Sequence, residues 1–209
     1  MTTTDRPQRV PTTSVEHIAQ AIVPTAHGDF TAHAYRSLAD NEEHLAYTMG
    51  PVTTAPAPLV RLHSECLTGD VLASDRCDCG RQLHNALCLI AQEQCGVLVY
   101  LRGHEGRGIG LGSKIRAYAL QDSDGLDTVD ANTIQGLPVD SRDYVVGVAI
   151  LADLGLSTVR VLTNNPEKVE ALTAGGFVVA EQISLHVDPT PANSKYLSTK
   201  RDRMGHRLL

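Results

Sequence analysis

Three thiols, Cys66, Cys77 and Cys79, crowd residues 61–82, RLHSECLTGDVLASDRCDCGRQ, and no other stretch of the chain is better equipped for chemistry. Ten residues separate the first thiol from the second, and only Asp78 separates the second from the third. Soft ligands gathered from a loop suit zinc, and three protein ligands instead of four leave one position open for water. Zinc with an open position lowers the pKa of bound water to roughly 7 and polarises the bond under attack. The same spacing also fits a structural zinc closed by His63, or three unrelated core thiols. Asp75, Arg76, Asp78 and Arg81 make the stretch too polar for a core, which favours a metal. Spacing does not decide between a catalytic and a structural ion.

A second station is the run 102–114, RGHEGRGIGLGSK, with five glycines. Backbone amides of a glycine-rich loop leading into a helix can cradle phosphate. Arg102, Arg107, Lys114 and Arg116 surround Glu105 with positive charge, so a local anion site is expected. Glu105 would then hold a magnesium ion or a base edge. The run is neither a Walker A motif nor a dinucleotide fingerprint, and its bland reading is a loop with solvated arginines. Asp140 reads as a helix N-cap, Arg142 as a surface residue of the first turn, and Thr163 with Lys168 as a polar helix start. Tyr118 sits on an apolar helical stripe with Leu111, Ile115 and Ala119, which reads as core.

The elements that must position these residues follow from period and punctuation. Residues 1–14, with two prolines, read as a disordered tail, and residues 15–209 as a single domain. Segments 15–23, 29–36, 44–49 and 59–63 read as strands, with the proline-rich loop 51–58 between the last two. Leu83, Ala86, Leu87, Ile90 and Ala91 form a helical stripe, and VLVYL, 97–101, a buried strand. IRAYALQD, 115–122, resumes a helix, 127–132 read as a short extended piece, and Asp140 with Asp143 would open a helix reaching Leu154. TVRVL, 158–162, is a strand; Asn165-Pro166 starts a helix that Gly175-Gly176 closes, and a strand follows. The class is α/β with α+β character: N-terminal antiparallel strands lead into the zinc site, and helices alternate with strands after it.

Composition narrows the partners. Hydrophobic residues make up 42% and charged residues 20%, ordinary for a soluble globular chain. A net charge of −6, no Trp and 4% aromatics argue against nucleic acid and anionic membranes as partners. No basic segment followed by a long apolar run stands at the N-terminus, so a cytoplasmic protein is expected. In that reducing compartment the five cysteines are metal ligands and buried thiols, with Cys88 and Cys95 as small core residues.

HSECLTGD, DRCDCGRQL, EGRGIGL, KIRAYALQD, DTVDAN, DSRDY and LTNNPEK occur in this order, and together they closely resemble GTP cyclohydrolase II, the family that opens riboflavin synthesis. The resemblance runs from about Val23 to the C-terminal KYLSTKRDRMGH. It implies hydrolysis of GTP to 2,5-diamino-6-(5-phosphoribosylamino)pyrimidin-4(3H)-one with release of formate and pyrophosphate. One catalytic zinc per chain would sit on Cys66, Cys77 and Cys79, with attack at C8 of guanine and Tyr118 beside that step. GTP contacts carried over by motif are Arg61, Leu62, His63, Ser64 and Glu65, then Gln82. From the later motifs come Glu105, Gly106 and Arg107, followed by Thr128, Thr163 and Lys168.

Arg142 matches the arginine assigned as nucleophile toward the α-phosphate, and Asp140 its proton acceptor. A guanidinium with a pKa above about 12 is a poor nucleophile, so charge stabilisation is the alternative role. Magnesium with the triphosphate and a homodimer are also implied. Two rivals stay open: a cyclohydrolase that retains the formyl group or feeds a secondary metabolite, and a nucleotide-binding regulator with a structural zinc. His104, in RGHEGRGIGL, resembles the cyclohydrolase half of fused riboflavin enzymes, whose dihydroxybutanone-phosphate synthase half is not expected within these 209 residues. Residues 133–136, TIQG, depart from the commoner form of the family.

Overall fold

Strands β1 (Val15–Thr25), β2 (Gly28–Ser37) and β3 (Glu43–Met49) form an antiparallel ladder in the computed structural model, which describes residues 15–204. The expected tail, 1–14, lies outside the described residues. The chain then crosses the proline-rich loop into β4 (Leu59–Ser64), and β5 (Gly96–Leu101), β6 (Thr158–Leu162) and β7 (Val178–Ile183) complete one sheet. Its order is β1-β2-β3-β5-β4-β6-β7. β3 pairs antiparallel with β5, while β5, β4, β6 and β7 run parallel to their neighbours. β1, β2 and β3 are therefore antiparallel, as expected. The fourth front strand, β4, is not: it pairs parallel on both sides and delivers the chain to the cysteines from within the parallel half.

Helices cover both faces of the sheet: α2 (Cys79–Glu93) on one, α5 (Val145–Asp153) and α6 (Pro166–Ala174) on the other. The two-residue period of the strands decides which side chains meet which layer. Val60, Leu62, Val97, Val99 and Leu101 join Val148, Ile150, Leu151 and Leu172 in the larger core. Leu59 and Leu98 join Ala86 and Ile90 of α2 in the smaller one. On β4 the alternation leaves Arg61 and His63 on the α2 side, 4% and 1% exposed. Buried polar groups of this kind need partners. Arg61 donates to the Leu162 carbonyl at 2.9 Å and to Gln82 Oε1 at 2.7 Å, and His63 Nε2 lies 3.1 Å from the Asp70 carboxylate.

Four expectations are corrected. Residues 127–132 are not extended: α4 (Thr128–Ile134) forms there because Asp127 caps it, accepting from the amides of Val129 and Asp130 at 2.8 and 2.9 Å. Asp140 caps no helix, since α5 starts at Val145 and the Asp140 carboxylate is taken by Arg142. On α3 (Leu111–Asp124) the buried residues are Lys114 and Ala117, whereas Leu111 and Ile115 are exposed; Lys114 turns inward because Glu105 meets it there. Cys88 is half-buried beside His27 at 3.4 Å and belongs to neither core, while Cys95 packs against the larger one. Two helices complete the set: the single-turn α1 (Leu67–Asp70), and α7 (Ser194–Met204), whose Arg203 pairs with Asp127 and Asp130. No helix among the described residues is long and apolar enough to cross a membrane.

Candidate active site

A cleft opens at the carboxyl ends of β4, β5 and β6, where Ser64 to Cys66, the 102–110 loop and Thr163 to Asn165 emerge side by side. From β4 the chain passes to β5 on one side, and later to β6 on the other. Such a reversal leaves a crevice between the outgoing loops, the usual ligand position of an open parallel sheet. The cleft contains about 980 Å³ of space, part of it open to solvent.

The three cysteines occupy one end. Cys66 follows β4, Cys77 precedes α2, and Cys79 is the first residue of α2. Their sulfurs all lie within 4.8 Å of one another. A tetrahedral zinc with bonds of about 2.3 Å sets its sulfurs roughly 3.8 Å apart, and Cys66 and Cys77 stand at 3.7 Å. Gly69 closes the back of the cluster: a Cβ there would lie 2.8 Å from the Cys77 sulfur and 3.2 Å from that of Cys66. Among the described residues no histidine or carboxylate joins the group, and His63 Nε2 is directed to Asp70 instead. The donor set fits zinc with three protein ligands.

Charge around the cluster agrees with thiolate chemistry. Lys114 Nζ donates to the Cys66 sulfur at 3.1 Å, to Thr68 Oγ1 at 2.8 Å and to Glu105 Oε1 at 2.5 Å. Hydrogen bonds from Cys77 and Cys79, then the Lys114 ammonium, hold the Cys66 thiol well below its ordinary value. Tyr118 lines the cleft under the Arg76 guanidinium, 4.7 Å from its ring, and burial raises its phenol. It is no core residue.

The other end of the cleft is cationic. Five residues between 103 and 110 take left-handed backbone angles, four of them glycines and the fifth Arg107 at φ 67°. This coil, which explains the glycine content, presents the buried Arg107 to the cleft. The Arg107 carbonyl accepts from the Ser141 amide and hydroxyl at 3.0 and 3.1 Å, tying the coil to the segment that carries Asp140 and Arg142. Burial opposes the charge on Asp140, yet hydrogen bonds and charge from Arg142 keep its carboxyl below the usual range. Lys168 Nζ donates to the Leu62 carbonyl at 2.7 Å. Both cations ride on the Tyr144 ring, Lys168 at 5.2 Å and Arg142 at 5.9 Å. His104 meets the same ring edge-on, with Nδ1 3.1 Å from Ser64 Oγ. Burial, then Arg142 and Lys168, push His104 down to about 3.

Arg61, His63, Ser64, Glu65 and Gln82 line the cleft, as do Gly106, Arg107, Thr128, Thr163 and Lys168. Leu62, Glu105 and Asp140 stand behind that wall. Leu62 puts its side chain in the core, Glu105 holds Lys114, and Asp140 holds Arg142. Sequence reasoning missed Asp70, whose carboxylate accepts from the Cys66 amide and from Tyr100 Oη besides facing His63. Its signal was a carboxylate four residues past the first thiol. Tyr144 was also missed as a site residue, though it ends the DSRDY block.

Residues 16–184 match the family profile of GTP cyclohydrolase II. The riboflavin biosynthesis protein RibBA of Salinispora tropica is 55% identical over 194 residues, covering 93% of this chain and 48% of that protein. Its namesake in Rhodococcus jostii is 54% identical over 202 residues, covering 93% and 48%, and that of Salinispora arenicola 57% over 194 residues, covering 93% and 46%. The chain thus spans about half the length of the curated relatives it matches.

Proposed function

The chain belongs to the GTP cyclohydrolase II family, and from that membership we propose that it hydrolyses GTP to 2,5-diamino-6-(5-phosphoribosylamino)pyrimidin-4(3H)-one, formate and pyrophosphate, as the entry step of riboflavin synthesis. The observation that carries the reading is one cleft with two unlike ends: three thiols fit for zinc, and a cationic wall made by Arg142, Lys168 and Arg107. That polarity matches a substrate with a heterocycle at one end and a triphosphate at the other.

Cys66, Cys77 and Cys79 would hold the zinc ion, which supplies Lewis acidity at the ring carbon and acidifies water there. Water adds at C8, the imidazole ring opens, and a second hydration frees the carbon as formate. Tyr118, kept protonated by burial, offers a phenolic hydrogen bond beside that carbon. Retention of Tyr118 supports complete release over a formyl-retaining reaction. Arg61, fixed by Gln82 and the Leu162 carbonyl, and His63, fixed by Asp70, form a floor on which the nucleotide lies. Asp140 engages the Nε–Nη2 edge of the guanidinium, and Arg142 acts by stabilising charge on the α-phosphate as pyrophosphate leaves. Magnesium accompanies the triphosphate, and the enzyme works as a cytoplasmic homodimer. Exposed Leu111 and Ile115 on α3 offer apolar surface for the dimer contact.

Zinc-loaded protein is incubated with GTP and magnesium while formate, pyrophosphate and pyrimidine absorbance are followed together. Equimolar formate and pyrophosphate, abolished in Cys77→Ser, are expected. Pyrophosphate without formate would overturn complete release, leaving a formyl-retaining reaction or a site that has lost its C8 chemistry, and GTP binding without turnover would leave a regulator. A phosphoramidate trapped on Arg142 would overturn its electrostatic role.

A further inference from the structure

His27, His84 and Cys88 bring two imidazoles and a thiol together outside the cleft, with ligand atoms all within 4.8 Å of one another. We propose that these three residues form a second metal site, independent of the cysteine cluster, for a borderline divalent ion of the zinc type.

Two different elements build the group. His84 and Cys88 stand one turn apart on α2, so their side chains share a face. His27 comes from the two-residue turn between β1 and β2. The turn is clasped: the His27 amide donates to Thr25 Oγ1 at 3.0 Å, and that hydroxyl donates to the Gly28 carbonyl at 2.8 Å. Cys88 Sγ lies 3.4 Å from His27 Nδ1, and the two imidazole centroids are 4.6 Å apart at 71°. Tetrahedral bonds of about 2.3 Å to sulfur and about 2.0–2.1 Å to nitrogen set that S···N separation near 3.5 Å. The observed 3.4 Å matches that separation.

Donor type selects the ion. Two nitrogens and one sulfur, with no carboxylate in the group, suit zinc or cobalt and disfavour magnesium or calcium. His84 is exposed and the other two are half-buried, so the ion enters from solvent and a fourth position stays open to water. On binding, Cys88 gives up its thiol proton to solvent and ligates as thiolate. None of the three lines the cleft. The bound ion pins the β1–β2 turn to α2, the helix whose first turn carries Cys79 and Gln82.

Cobalt titration of the full chain tests this, read by thiolate-to-cobalt charge-transfer absorbance and by metal content after gel filtration. In wild type a second saturating step is expected after the cysteine cluster is filled. Cys88→Ser should abolish that step and keep the first, Cys77→Ser should do the reverse, and His84→Ala should weaken the second step by about tenfold or more. His84 is exposed, so its replacement leaves the fold intact and formate release by the zinc-loaded enzyme unchanged. A wild-type titration that ends after one step would overturn the site, leaving Cys88 and His27 as a thiol hydrogen bond. So would a second step that survives in both Cys88→Ser and His84→Ala.

Discussion

Asp140 and Arg142 meet as a two-point fork: Arg142 Nε donates to Oδ1 at 2.9 Å and Nη2 to Oδ2 at 2.5 Å, while the Arg142 amide reaches Oδ1 at 3.1 Å. The carboxylate two residues upstream thus fixes both the backbone turn and the plane of the guanidinium. Asp140→Asn keeps one acceptor oxygen and loses one arm of the fork. Turnover should fall by roughly 10- to 100-fold with little change in KM for GTP, measured as pyrophosphate release. Because Asp140 titrates below its ordinary 3.8, the fork persists as pH falls to that value and is lost only beneath it. An acid limb of activity above pH 5 should therefore survive in Asp140→Asn.

His104 provides a pH dependence of stability. Its value falls from 6.5 unfolded to about 3 folded, so between these values the unfolded chain binds the proton and the native protein does not. Stability then declines as pH falls through 6.5, by up to about 1.4 kcal/mol per pH unit, and is unaffected by this group at higher pH. His104→Gln should flatten the loss between pH 7.5 and 5.5 by roughly 1 kcal/mol in urea denaturation. Buried His63, also shifted down by burial, leaves a residual slope.

Gly69 lies against the thiols, and Gly69→Ala would force a Cβ to 2.8 Å from the Cys77 sulfur. The sulfurs must move apart, and zinc retained after dialysis against a chelator should drop by about tenfold or more. Retention equal to wild type would mean that α1 can shift without the cluster.

Glu105 and Lys114 form a buried ion pair, each side chain 9% exposed, and Glu105 Oε2 also accepts from the Leu67 amide at 2.7 Å. Without the Glu105 charge, Lys114 is left to the Cys66 sulfur and the Thr68 hydroxyl. Glu105→Gln should cost about 3–5 kcal/mol in chemical denaturation, and Glu105→Gln with Lys114→Met should recover part of that loss.

Local rules made much of this legible. Alternation along 59–63 put Arg61 and His63 on one face, and Asn165-Pro166 started α6, with the Asn165 side chain accepting from the Glu167 amide. What failed were polar groups whose partners lie far away in sequence. Asp140 resembles a cap until Arg142 takes its carboxylate, and Lys114, read as one of the charges around Glu105, is buried on α3 between Glu105 and Cys66. Asp127 failed in the opposite sense: Thr128 and Val129 suggest a strand, and two side-chain bonds to the amides overrule them. The thiols were legible as a group, and the structure gathers their sulfurs, but that His63 stays out of the group depends on Asp70, whose role no spacing rule expresses.

The position of β4 between β5 and β6 gives the cleft a history. All three thiols lie within fourteen consecutive residues, and β5, the first parallel neighbour of β4, follows less than twenty residues later. The wall carrying Thr163 and Lys168 waits for β6, about a hundred residues downstream of β4. Contacts close in sequence form before distant ones, since loop closure costs entropy. As the chain leaves the ribosome, the three thiols come together while the wall carrying Thr163 and Lys168 is still unmade, so under the proposed function metal capture precedes competence for substrate.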